Sequence, residues 1–210
     1  ADRQRLSETE LNEGWRLACQ ARAQTDLRLE IAQWEAAVLS DDSRFNFIPR
    51  EGCGVAVDLG TTTIVAQLLD LRRGDVLGVR TALNSQARHG ADVMSRIAFS
   101  MATGGLETLT GLVRGQIGQM IAELVAEAAA SGHRGAGAVG EGLREVVLVG
   151  NTVMHHLFCS LSVEPLSHHP FHPSQPGPRT FTAAELGWAL PGHPVVTFLP
   201  CLGGFVGSDI

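Results

Sequence analysis

A chain of 210 residues with 44% hydrophobic side chains suffices for one sizeable domain, or one domain with appendages, and can bury a real core. Its net charge of −6 speaks against a nucleic-acid partner, and no apolar run is long enough to span a membrane. Four dispersed cysteines with no C-x-x-C pair and no signal-peptide pattern fit a reducing cytoplasm rather than a disulfide framework.

The chain has no Lys and no Tyr, so Arg carries all the side-chain basic charge. In chain order, residues 1–31 read as a helix-prone start, with Ser7 and Glu10 spaced as a capping box, and then two short strands in "WRLACQA" and "DLRLEI". Residues 32–53 lack a sustained period and read as a linker. From 54 the pattern is regular. "GVAVDLG", "TIVAQLLDL" and "VLGVRTALN" predict three strands in an antiparallel meander. "GADVMSRIAF" predicts a helix. A longer one follows in "LETLTGLVRGQIGQMIAELVAEAAA", with Leu109, Leu112, Val113, Ile117, Met120, Ile121, Leu124 and Val125 on one broad face. Gly111, Gly115 and Gly118 weaken that helix and suggest close packing. "SGHRGAGAVGEG" reads as a loop, "REVVLVGN" as a fourth strand, and "TVMHHLFCSL" as a short helix. A Pro- and His-rich loop precedes a fifth strand, "HPVVTFLP", and "CLGGFVGSDI" reads as a Gly-rich turn entering a helix. A start without Met and a helix begun at the end suggest an excerpt of a longer protein. The order β-β-β-α-β-α-β-α fits an α/β, ribonuclease-H-like lobe.

The run "GVAVDLGTTTIVAQLLDL" (54–71) carries the chemistry. Gly60 lets the backbone turn tightly and approach a ligand. Successive turn N–H groups form an anion nest, to which Thr61, Thr62 and Thr63 add hydroxyls. Asp58 at the strand end suits Mg²⁺ held through its water shell. A plain β-hairpin would also favour Thr, but Asp-Leu-Gly at its tip is harder to explain that way. A Walker P-loop is excluded, because it requires a Lys.

"VAVDLGTTT" resembles the first phosphate motif of the acetate/sugar kinase, heat-shock chaperone and actin superfamily, and the element order of 54–210 resembles the first of its two lobes. "ALNSQARHGADVMSRI", "VLVGNTVMHHLFCSL" and "FLPCLGGFVGSDI" narrow the resemblance to the reductive activators of corrinoid proteins, which are ferredoxin-linked ATPases. "GWRLACQARAQTDLRLEI" resembles the end of their β-grasp [2Fe–2S] domain. The resemblance implies three segments: 1–31 as the ferredoxin tail, 32–53 as linker, and 54–210 as an incomplete first ATPase lobe. It implies ATP and Mg²⁺ as cofactors and a corrinoid protein as partner. Cys19 would be the last ligand of a [2Fe–2S] cluster, which needs four ligands and is not expected in this segment alone. The implied activity is ATP-dependent reduction of Co(II) to Co(I) in a methyl-transfer system. Another kinase or ATPase of the superfamily, and a non-catalytic interaction module, remain as alternatives.

Further candidates are positional. Gly150 and Asn151 end a strand where a crevice would form, with Thr152 as the expected helix cap. The resemblance makes Asp209 a candidate for orienting the attacking water or the metal. Asn84, Gln86, Arg88, Asp92 and Arg96 suit contacts to phosphate or to a partner, or a solvated loop with a capped helix. His155, His156, His168, His169 and His172 read as core and surface residues, because a closed metal site needs four well-spaced ligands and adjacent helical residues do not share a face. Cys53, Cys159 and Cys201 read as buried small residues with no nucleophilic role. Half of a two-lobed ATPase would expose an apolar interface, so self-association is expected.

Overall fold

A computed structural model of the chain describes residues 8–12, 47–130, 136–140 and 142–209. Its contacts divide it into two units, Ala1–Asp41 and Asp42–Ile210. In the first, the described residues form helix α1 (Glu8–Asn12), inside the segment expected to be helix-prone. The strands expected at 15–31, and Cys19, lie outside the described residues.

The second unit is built on a six-stranded sheet. Strands β1 (Cys53–Leu59), β2 (Thr63–Asp70) and β3 (Val76–Leu83) form the expected antiparallel meander. Strand β4 (Leu143–Gly150) lies parallel to β1, β6 (Val195–Phe198) parallel to β4, and β5 (Arg179–Thr182) antiparallel to β6. The spatial order is β3-β2-β1-β4-β6-β5, which places β1 and β4 in the middle.

The alternation of side chains decides which face is covered. Cys53, Val55, Val57 and Leu59 of β1 point to one face and are buried. Their cross-strand partners Ile64, Ala66 and Leu68, and Val146 and Leu148 of β4, join them. Each fully buried aliphatic of this kind contributes about 1.5–3 kcal/mol. Helix α3 (Gly105–Ala130) belongs to this core through Leu109, Val113, Ile117, Ile121 and Leu124, a stripe at helical spacing. Arg80 of β3 reinforces the contact by pairing with both Glu123 and Glu127 of α3. Helices α2 (Val93–Ser100) and α5 (Thr152–Cys159) complete the layer. Ala56 and Asp58 take the alternate positions of β1, on the exposed opposite face.

Several local expectations are corrected. The loop expected at 131–142 contains a helical turn, α4 (Ala136–Gly140). The His- and Pro-rich loop ends in β5, so β6 is the sixth strand and not the fifth. The "RTFT" segment has strand-favouring residues that the prolines before it obscured. Cys53 and the segment 47–52 belong to the lobe and not to a linker: Cys53 starts β1, and the Arg50 N–H donates to the Leu71 carbonyl. No helix begins in 200–209 among the described residues. The N–H groups of Leu202 and Gly203 turn back to the Val206 carbonyl, and Ser208 N–H donates to the Gly150 carbonyl, which closes a loop against the end of β4.

Of Gly111, Gly115 and Gly118, only Gly118 is a packing site. A Cβ there would stand 2.4 Å from the Trp188 indole, which crosses α3 and donates from Nε1 to the Arg114 carbonyl at 2.8 Å. Gly111 and Gly115 face open space.

Candidate phosphate and metal site

The β1–β2 turn is closed by the Gly60 N–H donating to the Thr63 carbonyl at 3.0 Å. A side chain at Gly60 would place Cβ 2.5 Å from that carbonyl, so the turn requires glycine. Asn84, at the end of β3, holds the turn from behind. Its backbone N–H donates to the Thr62 carbonyl (2.8 Å) and its Nδ2 to the Gly60 carbonyl (2.9 Å). Asn84 also caps the short 3-10 turn Ser85–His89, accepting at Oδ1 from the Gln86 N–H.

A buried polar layer lies beneath Asn84. Gln86 is fully buried and donates to the Leu109 carbonyl of α3. Arg96 of α2 is also fully buried. It donates from Nε to the Gly90 carbonyl (2.9 Å) and from Nη1 to Gln86 Oε1 (3.2 Å). Met154 Sδ lies within hydrogen-bonding reach of both Arg96 Nη1 and Asn84 Nδ2. Burial lowers the Arg96 pKa, with the Asp92 charge opposing. Asp92 itself caps α2 in a capping box with Ser95, as expected of a capped helix. The "NSQARHGADVMSR" run thus acts mainly inside the lobe, with Asn84, Gln86 and Arg96 supporting the turn. Arg88 remains at the surface, donating to the Ser85 carbonyl.

Asn151 joins the turn from β4. It, and not Thr152, is the N-cap of α5: its Oδ1 accepts from the N–H groups of Val153 and Met154. Its Nδ2 donates to Thr61 Oγ1 at 2.9 Å, tying the threonine turn to the helix. Thr152 faces inward instead, and its hydroxyl donates to the Gly203 carbonyl at 2.6 Å. Gly150 is needed at the strand end, where a Cβ would meet the Leu59 carbonyl at 2.8 Å.

The loop after β6 completes the arrangement. A Cβ at Gly207 would stand 1.8 Å from the Gly150 carbonyl, so only glycine lets the chain pass there. Ser208 then pairs with Gly150, its N–H to the carbonyl and its Oγ accepting from the Gly150 N–H. This brings Asp209 into the field of Asp58. Asp58 is exposed as a residue, but its carboxyl is partly covered, and that desolvation first and the Asp209 charge second raise it from its ordinary value. Two carboxylates that repel each other at a strand end, beside a hydroxyl-rich turn, fit a hydrated Mg²⁺, which relieves the repulsion. Asp58, Gly60, Thr61, Thr62, Thr63, Gly150, Asn151 and Asp209 are therefore gathered at one end of β1 and β4. Thr62 is exposed, and the rest of the turn is half-buried.

The cysteines behave as expected of core residues. Cys53, Cys159 and Cys201 are free and buried, and burial pushes the thiols of Cys53 to about 11 and Cys159 to about 12. His155 and His156 are core residues as expected, but, although adjacent on the helix, their rings meet. They are both fully buried on α5, and their Nδ1 atoms lie 3.4 Å apart. No sequence signal pairs them with Cys201, which the fold brings to their side.

Comparison with known proteins agrees with this architecture. Residues 53–210 match the family model "RACo middle region". The chain is 32% identical over 177 residues to "Corrinoid activation enzyme RamQ" of Eubacterium limosum, covering 82% of this chain and 29% of that protein. A solved "Reductive activator for corrinoid,iron-sulfur protein" superposes with a TM-score of 0.66 at 31% identity, over 76% of this chain and 24% of the other. A shorter match, 43% identical over 54 residues, is to a component of the Na(+)-translocating NADH-quinone reductase of Chlamydia pneumoniae, covering 22% of this chain and 12% of that protein. The chain thus spans less than a third of the length of the activators it resembles.

Proposed function

The chain belongs to the RACo middle region family, and on that premise we propose that it supplies the phosphate-binding lobe of an ATPase that reductively activates a corrinoid protein. The observation that supports the ATPase reading is the Gly60–Thr63 turn, closed by the Gly60 N–H and tied to the end of β4 by Asn151, with Asp58 on the strand that leads into it. In this reading the turn N–H groups and threonine hydroxyls bind phosphate oxygens, with Asn151 orienting Thr61. Asp58 would hold Mg²⁺ through its water shell, and the ion would neutralise phosphate charge. Asp209 orients the attacking water or the metal. Asn84, Gln86 and Arg96 keep the turn in place from below.

The corrinoid cobalt is the substrate: Co(II) gains one electron and becomes Co(I). By resemblance, a [2Fe–2S] cluster would supply that electron, with Cys19 as its last ligand. Lobe movement driven by the nucleotide then changes the partner's cobalt ligation or releases the partner after transfer. The reading places the protein in the cytoplasm, and no helix among the described residues is long and apolar enough to cross a membrane.

The test follows Co(II) loss optically in a corrinoid protein, using these residues in a chain of the relatives' full length. Reduction that requires ATP and fails with a non-hydrolysable analogue supports the reading. Reduction at the same rate without nucleotide contradicts it.

A further inference from the structure

Beyond the nucleotide site, the described residues contain a second set of potential ligands. His155, His156 and Cys201 each offer one ligand atom within 4.8 Å of the others, and all three residues are buried. The two imidazoles are fully buried, and their Nε2 atoms have no hydrogen-bond partner. An orphaned ring nitrogen in a dry interior costs roughly 1–3 kcal/mol unless something satisfies it. The Nδ1 atoms are the near pair, 3.4 Å apart with ring centroids 5.2 Å apart, so the two Nε2 atoms face away from each other, and one ion would take Nε2 of His156 and Nδ1 of His155.

The surroundings suit an ion. Nδ1 of His156 lies 2.8 Å from the Thr152 carbonyl, to which it donates in the tautomer that leaves Nε2 free. A backbone carbonyl on the second ring nitrogen is the usual device that orients a metal-bound imidazole. The edge of His155 packs against Phe198, with ring centroids 4.9 Å apart, which holds its orientation as well. Both imidazoles are kept neutral, His155 down to about 4, first by burial. The Gly177 backbone opposes that effect at His155, and the Arg179 charge adds to it. Arg179 also disfavours a nearby cation, and a Cys201 thiolate would offset half the charge of a divalent ion. Two nitrogens and one sulfur are a borderline-soft donor set of the kind zinc takes, with a fourth position left for water or another ligand.

We propose that His155, His156 and Cys201 form a zinc-binding site that clips helix α5 to the loop after β6. Bond lengths of about 2.0 Å to nitrogen and 2.3 Å to sulfur require the three groups to draw together slightly. The clip has a mechanical sense. Helix α5 begins at Asn151, which holds the threonine turn, and the loop after Cys201 carries Asp209. A metal there fixes the two halves of the phosphate end to each other, and its presence does not depend on the ATPase reading.

The experiment uses the 210-residue chain, stripped of metal under reducing conditions and titrated with Zn²⁺ against a chromophoric chelator. The expected result is one tightly bound equivalent, with an X-ray absorption edge fitted by one sulfur and two imidazole nitrogens. Cys201→Ala should weaken binding by about 100-fold or more, since even orienting partners contribute 10–100-fold. The triple change His168→Ala, His169→Ala, His172→Ala, in the exposed His-rich loop, should leave binding unchanged. Absence of a bound equivalent, an edge without sulfur, or binding lost only in the triple variant would overturn the proposal. The absorption edge of the unaltered chain decides the matter even if Cys201→Ala fails to fold.

Discussion

At the scale of single residues, Asp58 carries the most consequence. Its carboxyl is raised by desolvation and by Asp209. In the pH window from the ordinary aspartate value up to the raised one, the folded chain keeps a proton that the unfolded chain has lost. Stability therefore falls as pH rises through that window, and the penalty persists above it. Asp58→Asn removes this penalty. Its melting temperature should exceed the parent's at neutral pH and converge with it near pH 3, below the ordinary range of about 3.9. Added MgATP should raise the melting temperature of the parent and not that of the variant. Identical pH profiles for the two proteins would contradict the assignment. Asn151 separates cap from ligand. Asn151→Ala should cost about 1 kcal/mol in urea unfolding through the lost cap, whereas Asn151→Asp should keep the cap and weaken nucleotide affinity through the lost donor to Thr61. The turn at 58–63 was legible because one short run carries it. The contact of His155 and His156 with Cys201 was not, since it arises only when the loop after β6 folds back onto α5.

Elements were legible where periodicity is long or strict. The meander and α3 follow directly from alternation and from the stripe of Leu109, Val113, Ile117, Ile121 and Leu124. What escaped was decided by tertiary contact. The segment 200–209 has the glycines of a helix entrance, yet Gly207 is fitted against the Gly150 carbonyl and the chain stays in a loop. Strand β5 is four residues long and exists by pairing with β6. The glycines of α3 give an element-level prediction with two signs. Gly118→Ala collides with Trp188 and should destabilise by about 1–3 kcal/mol. Gly111→Ala meets nothing and should stabilise by about 0.5–1 kcal/mol through helix propensity. Urea unfolding of the pair checks both, and equal effects would refute the packing account.

For the whole molecule, the lobe leaves apolar residues outside its core. Leu199, Leu202, Phe205 and Val206 are exposed in the loop after β6, and Val79 and Val195 on strands of the sheet. Such surfaces associate in water, so the 210-residue chain should self-associate as concentration rises. Light scattering that shows a monomer throughout would contradict this. The claim that unites the scales is that the Asp58–Thr63 turn serves an ATPase answering to a corrinoid partner. The decisive measurement is ATP hydrolysis by these residues in a chain of the relatives' length, with and without a corrinoid protein held as Co(II). The account predicts stimulation by the Co(II) form and not by the Co(I) form, and its loss in Asp58→Asn. Hydrolysis indifferent to the corrinoid protein, or surviving the loss of Asp58, would contradict it.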